Sequence, residues 1–525
     1  MEKLNTDYLN SIKLKVESKI LPAMENIYGS GSSTIPDTFY PHLKYFERIV
    51  SYYDYCACGI SVLAPLSVRG NKRADRIIGY LLKNMEHYRT RIYGHAMQDA
   101  AGPWTVPLRR LLFHASLAYE VLGASLKPSD RNGFKKLLEQ QTRVALEHNN
   151  HFHPGEKRLY LGFMNNHTAI FMQGVFHVGR LLGNKQWMMS AKEAAGRLFR
   201  SGHSDGYWEE NTNTRREGGP SMIYTPLTAG CLYDILDGFN KKQPAFLSAG
   251  KLYRGFLNYD GRAIPLADER TNCHSKISMY GLALHSLTAE GRGYIRHVID
   301  NMDWNDLSPE NLAVLYYELS QMHTGACKTP EYRKPGIFRI SLPLGVLRYN
   351  GWTAGLSALR ALNRVRSPGS DYALDHQNMA YLSHDKGGII LTGYKSKHDP
   401  EYSTFSRGVD AYPIDTGVLK MGKNWASVQL HYATFDATLR WDLGKTARLT
   451  LETNDSREII TTLPINGVVS FKSSIPASRV KLKGFSPYSA GNAEKPETAL
   501  RFAWRKRLVV EFKGPDKRRP LTTVP

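Results

Sequence analysis

Between about residue 40 and about residue 325, apolar residues recur at helical spacing, in segments of ordinary helix length separated by Gly, Pro, Asn or Asp. The clearest stripe carries Ile170, Phe171, Gly174, Val175, Val178, Leu181 and Leu182 on one face and stops at Gly183, which suits the left-handed residue just past a helix end. Further helical segments are predicted at about 187–201, 222–238, 243–257, 275–288 and 309–322, with several more between 40 and 150. About ten helices joined by short loops fit either an open solenoid or an α/α toroid. No fixed-length repeat with a consensus is present, which favours the toroid.

After the turn-rich Lys328-Thr329-Pro330 and Lys334-Pro335-Gly336 the period changes from helical to strand-like. Strands are predicted at Gly388–Tyr394, Ala426–Tyr432, Ala437–Leu443, Arg448–Thr453, Val468–Lys472 and Arg507–Lys513, spaced by turn residues as in an antiparallel sandwich. The expected organisation is a helical domain over residues 1–335 and a β domain over 336–525. A chain of 525 residues is long enough to bury a core in each.

Composition adds a preference for polyanions. Lys and Arg number 69 against 48 Asp and Glu, a formal net charge of +21, which concentrates negatively charged partners near the surface. Zinc-finger spacing, an RNP-type strand and a basic recognition helix are all missing from the sequence, so nucleic acid is not the expected partner. No apolar run is long enough to span a bilayer, and Met1-Glu2-Lys3-Leu4 lacks the form of a signal peptide, which reads as a cytoplasmic chain or one without its leader. Cys56, Cys58, Cys231, Cys273 and Cys327 are scattered and odd in number, which describes buried thiols rather than a disulfide framework.

Candidate chemistry clusters ahead of two helices. Asn165-Asn166-His167 precedes the strongest stripe, where an Asn can cap the helix and the free backbone donors favour an anion. Downstream, Asp205-Gly206-Tyr207-Trp208 leads into a polar loop with Arg215, Arg216 and Glu217, and then into Ser221-Met222-Ile223-Tyr224 at the next helix start. Aromatic and hydrogen-bonding side chains at that density suit a sugar ligand. His274 lies on another inter-helix loop that is expected to reach the same cleft.

An Asn-His before an apolar helix, followed some forty residues later by Asp-Gly, a polar loop and a Tyr at a helix start, resembles the heparinase II/III-like superfamily of polysaccharide lyases. Asn166-His167 matches the family's Gly-Asn-His with Asn165 in place of Gly, and Tyr224 matches its catalytic Tyr with Thr225 in place of the following His. Trp352, Leu356-Ser357, Asp375-His376-Gln377-Asn378 and Gly387-Gly388 resemble its β-domain pattern, with Asn378 where the family has Asp. The resemblance covers residues of about 150 to 400. It implies an incomplete α/α toroid followed by an antiparallel β-sandwich, no cofactor, a periplasmic or secreted setting, and β-elimination on an acidic, uronate-containing polysaccharide. The change at Asn378 argues against the metal ion found in some relatives.

On that reading Asn166 offsets the uronate carboxylate, assisted by His167 and by Arg215 or Arg216, and Tyr224 serves as general acid and as candidate base. His376 is the alternative base. Tyr207, Trp208, Glu217 and His274 complete the expected substrate contacts. Two other readings use the same residues: an α/α-toroid glycoside hydrolase acting on uronyl oligosaccharides, and a non-catalytic acidic-glycan-binding protein.

Overall fold

The computed structural model describes residues 2–28, 45–83, 108–148, 165–208, 219–222, 224–236, 244–264, 279–305, 307–359, 380–392, 404–407, 410–411, 416–432, 434–467, 469–482 and 498–514. The helices are α1 (Thr6–Tyr28), α2 (Tyr45–Val68), α3 (72–83), α4 (Leu108–Leu122), α5 (Pro128–His148), α6 (Asn165–Leu182) and α7 (Lys185–Arg200). They continue with α8 (Tyr224–Ile235), α9 (Pro244–Gly255), the single turn α10 (Leu282–His285), α11 (Ala289–Asn301) and α12 (Pro309–Gln321). Two of these, α1 and α11, were not expected from the sequence. Of the helix expected at 275–288, only the turn at Leu282–His285 is helical among the described residues.

Packing sorts the helices into two rings. Each even-numbered helix from α2 onward packs on the next even-numbered one, and α12 packs back on α2. The odd-numbered helices lie outside: α5 rests on α4 and α6, α7 on α6 and α8, and α9 on α8 and α10. Burial follows the rings. Inner helix α6 buries Ala169 to Met172, Val175, Phe176 and Val178, on more than one face, whereas outer α7 buries only Ala191, Ala194, Ala195 and Leu198 and leaves Met189 exposed. Links such as Gly183-Asn184, where Asn184 caps α7 by accepting from Trp187 N–H, turn each inner helix straight into an outer one. The inner helices therefore run parallel and begin on one face of the toroid.

A short pairing of β1 (Lys3–Leu4) with β2 (Gly325–Ala326) ties the start of the chain to the segment after α12. The strands that follow form two antiparallel sheets. One runs β10 (Thr416–Met421), β11 (Trp425–His431), β12 (Asp436–Leu443), β13 (Thr446–Thr453), β18 (Arg507–Lys513) and β15 (Phe471–Ser473). Its inward residues alternate, as in Ala437, Leu439, Trp441 and Leu443 of β12. The other runs β16 (Ser478–Lys481), β17 (Thr498–Trp504), β14 (Ile459–Ile465), β7 (Gly388–Leu391), β6 (Ala380–His384), β5 (Trp352–Ser357), β4 (Leu344–Tyr349) and β3 (Gly336–Arg339). The two sheets share one core that includes Trp352, Trp441 and Trp504. The chain is thus an α+β protein, a helical toroid followed by an antiparallel β-sandwich.

The larger sheet also packs on the toroid. Leu344, Val346 and Tyr381 belong to the helical core, while Leu347, Trp352, Ala354 and Leu382 belong to the sandwich core. Covered on both faces, β4 and β5 are buried along nearly their whole length. Buried Arg348 crosses the joint, its Nη2 donating to Gly255 O and Leu257 O at 2.6 Å each. Asn258 Nδ2 donates to Tyr381 Oη at 3.2 Å, and Arg254 holds Glu331 through two parallel bonds of 2.7 and 2.8 Å. Asp205 Oδ2 accepts from both the backbone N–H (2.9 Å) and the hydroxyl (2.6 Å) of Ser341, just before β4. All these toroid partners follow outer helices, so the sandwich sits on the face where the inner helices begin.

Two features of this packing are testable. Gly206, which places Asp205, has φ of +93°, and a Cβ there would meet Ala249 N and Ser248 C at 2.5 Å. Gly206→Ala is expected to cost about 2 kcal/mol or more in urea unfolding, more than Asp205→Ala, which removes only the clasp. Glu318 of α12 is fully buried and accepts from Gly281 N–H (2.9 Å) and Ala283 N–H (2.7 Å); burial raises its carboxyl to about 7 despite these bonds. The folded state then holds this proton more tightly than the unfolded chain does, so its contribution is complete below the ordinary carboxyl range and falls as pH rises through 7. Wild type should lose up to about 3 kcal/mol relative to Glu318→Gln between pH 4.5 and pH 8. Parallel pH profiles for the two would remove Glu318 as the cause.

Candidate active site

The face that carries the sandwich is where the predicted catalytic residues of the helical half lie. Helix α6 runs from Asn165, so Asn166 occupies its first turn. Its side chain is 2% exposed, and its amide oxygen has no hydrogen-bond partner among the described residues. A buried amide oxygen left without a partner is costly, and it is one way in which an acceptor waits for a ligand's donor. The first-turn backbone donors of α6 add a partial positive charge at the same place.

Helix α8, which packs against α6, begins at Tyr224. Ser221 starts it: the Ser221 carbonyl accepts from Thr225 N–H at 2.9 Å, and Ser221 Oγ accepts from Tyr224 N–H at 3.3 Å. Tyr224 is half-buried, between the fully buried Ser221 and the 1%-exposed Thr225. Thr225 Oγ1, like the amide oxygen of Asn166, has no partner among the described residues. Just upstream, Gly219 approaches Leu359 so closely that a Cβ would stand 2.7 Å from its Cδ1. The approach to α8 therefore lies against the sandwich, beside the chain that leaves β5.

Asn166 and Tyr224 consequently stand at the same ends of two neighbouring, parallel inner helices. Packed helix axes lie about 8–10 Å apart, a span on the scale of one sugar unit. Arg348, buried nearby in the joint, has its guanidinium drawn down to about 10 by burial, with Tyr259 and Tyr381 working the other way. Among the described residues no carboxylate pairs with it, so it adds positive charge beneath this face.

Two expected substrate contacts are placed elsewhere. Tyr207 and Trp208 are 0% and 2% exposed, Trp208 Nε1 donates to Leu198 O at 2.9 Å, and the Tyr207 ring stacks on His203 with centroids 4.5 Å apart. With their faces covered, they close the toroid core under the Asp205–Ser341 clasp and offer no platform to a sugar. The Asp-Gly that precedes them holds the two halves of the chain together. Arg215, Arg216, Glu217, His274 and His376 lie outside the described residues, as does the side chain of His167, whose backbone is in the first turn of α6. His376 falls between β5 and β6, the strands that face the toroid. Sequence reasoning missed Arg348 and Tyr381; an arginine in the otherwise apolar Leu344–Tyr349 run was the available signal.

Cys56, Cys58, Cys231 and Cys327 are buried, as expected, and Cys273 lies outside the described residues. Among the described residues there is no group of three or more His, Cys, Asp or Glu that could hold a metal ion, and no helix long and apolar enough to cross a membrane.

No protein-family model and no curated protein matches the sequence. Solved structures do match in three dimensions. A chondroitin AC lyase of Streptomyces coelicolor A3, solved in complex with chondroitin sulphate, aligns with 99% of this chain and 81% of its own, at a TM-score of 0.55 and 11% identity. A heparinase III aligns with 96% of this chain and 84% of its own, at a TM-score of 0.56 and 11% identity. The helical toroid with its antiparallel sandwich is the fold of these polysaccharide lyases.

Proposed function

We propose that this protein is a polysaccharide lyase that cleaves an acidic, uronate-containing polysaccharide by β-elimination. The observation that carries the reading is the placement of buried Asn166 in the first turn of α6 beside Tyr224, which opens the adjacent helix, on the face the sandwich covers. The net charge of +21 supports a polyanionic substrate, and the solved structures of the same fold include a chondroitin AC lyase in complex with chondroitin sulphate and a heparinase III.

In the proposed reaction the uronate carboxylate lies over the α6 N-terminus. Asn166 donates to it, with His167 and Arg215 or Arg216 assisting, so that the charge left when C5 loses its proton is stabilised. A base removes H5, the electron pair forms the C4–C5 double bond, the C4–O4 bond breaks, and O4 takes a proton. Tyr224, whose phenol can give up a proton, is the proton donor and in one variant also the base, its phenolate held by the positive surroundings. His376 is the base in the other variant. Glu217 and His274 are assigned to substrate contacts. No step is routed through a metal ion.

Incubation with alginate, glucuronan, heparan, chondroitin and ulvan-type polymers is expected to release products carrying the ultraviolet absorbance of an unsaturated uronate. Reducing ends without that absorbance would indicate a hydrolase instead. Tyr224→Phe should lower the rate by about 100-fold or more, the scale of a lost general acid, while leaving the unfolding midpoint within error. Full activity in that variant would remove Tyr224 from the mechanism.

A further inference from the structure

The opposite mouth of the toroid, where the inner helices end, holds an open cavity of about 560 Å³. It is lined from the last turns of α2, α4, α6, α8 and α12 and from the start of α7. Its size lies in the range of small-molecule sites. Asp234, in the last turn of α8, forms its polar floor. His177 Nε2 lies 2.7 Å from Asp234 Oδ2, Gln173 Nε2 donates to the same oxygen at 2.8 Å, and Tyr317 also hydrogen-bonds the carboxylate. The line continues outward from His177 Nδ1 to Arg180 Nη2 at 3.4 Å, and from there to Glu120 Oε2 at 3.0 Å.

This arrangement works against stability in one respect. A buried carboxylate at the C-terminal end of a helix meets the negative end of the dipole. Burial pushes the Asp234 carboxyl up, and the neighbouring His177 with the bonds from Gln173 and Tyr317 brings it below the ordinary range. Polar groups assembled at such cost in an open cavity mark a binding site more often than a fold requirement. Aromatic Phe176, Tyr316 and Tyr317 line the same space, so polar edges and flat apolar faces alternate around it.

We infer that this far mouth is a second ligand site, and that its ligand is a neutral, sugar-sized polyhydroxy compound. Charge selects neutrality. Among the described lining residues Arg180 and Lys192 are balanced by Glu120 and Asp234, and the converging helix ends disfavour a carboxylate. The other face, where the inner helices begin, has the reverse preference. The inference rests on the cavity itself and stands whether or not the proposed lyase reaction occurs.

The test is titration calorimetry of the full chain with methyl β-D-glucoside, methyl β-D-galactoside and D-glucuronate. At least one neutral glycoside should bind saturably. Ser320→Trp, which places a large ring at the exposed rim, should weaken that binding by tenfold or more, as should Lys192→Ala, a second rim variant that leaves the core untouched. Glucuronate binding should be the same in wild type and both variants. Failure of both neutral glycosides to bind would overturn the inference. So would binding that neither rim variant weakens, or a loss in the variants confined to glucuronate.

Discussion

A strand covered on both faces has no solvent side on which to place polar residues, and β4 and β5 are such strands. Their inner faces fill the sandwich core, and their other faces lie on the toroid. Much of the architecture depends on this shared layer. It fixes which end of the toroid is covered, and it forces Arg348 to satisfy its charge on the backbone carbonyls of Gly255 and Leu257. It also sets Leu359, just after β5, against Gly219 on the approach to the helix that Tyr224 opens. The hydrogen bonds of Asp205, Asn258 and Arg254 then hold a geometry that apolar burial has already selected.

The same layer explains where the sequence was legible and where it was not. Strands β11, β12, β13 and β18 face water on one side, so their alternation is plain and their positions were anticipated. Strands β4 and β5, buried on both faces, lack that alternation and were not among the strands predicted. Helix α6 announced itself through its stripe, whereas α11, which carries two glycines and two arginines among thirteen residues, did not. Tyr207 and Trp208 show the opposite error. Their polar neighbours suggested a sugar platform, but the turn at Gly206 points both rings into the core. Asn166 was found by motif, and the structure buries it in the first turn of α6.

The toroid has a polarity that follows from its parallel inner ring. One end gathers helix N-termini, the joint with the sandwich, buried Arg348, and the Asn166 and Tyr224 pair. The other gathers helix C-termini, Asp234 and its hydrogen-bonded partners around an open cavity. An acidic ligand is favoured at the first and a neutral one at the second. The net charge of +21 raises the encounter rate with polyanions over the whole surface; the helix ends then decide where one can settle.

The central claim is that one uronate is held on the sandwich side of the toroid. A crystal structure of the Tyr224→Phe variant with a bound uronate oligosaccharide tests it most directly. The account predicts one ring whose carboxylate meets Asn166 and the α6 N-terminus, with the position of the Tyr224 hydroxyl and the His376 side chain both within reach of its C5 or O4. An oligosaccharide seated elsewhere, with no carboxylate at Asn166, would contradict it.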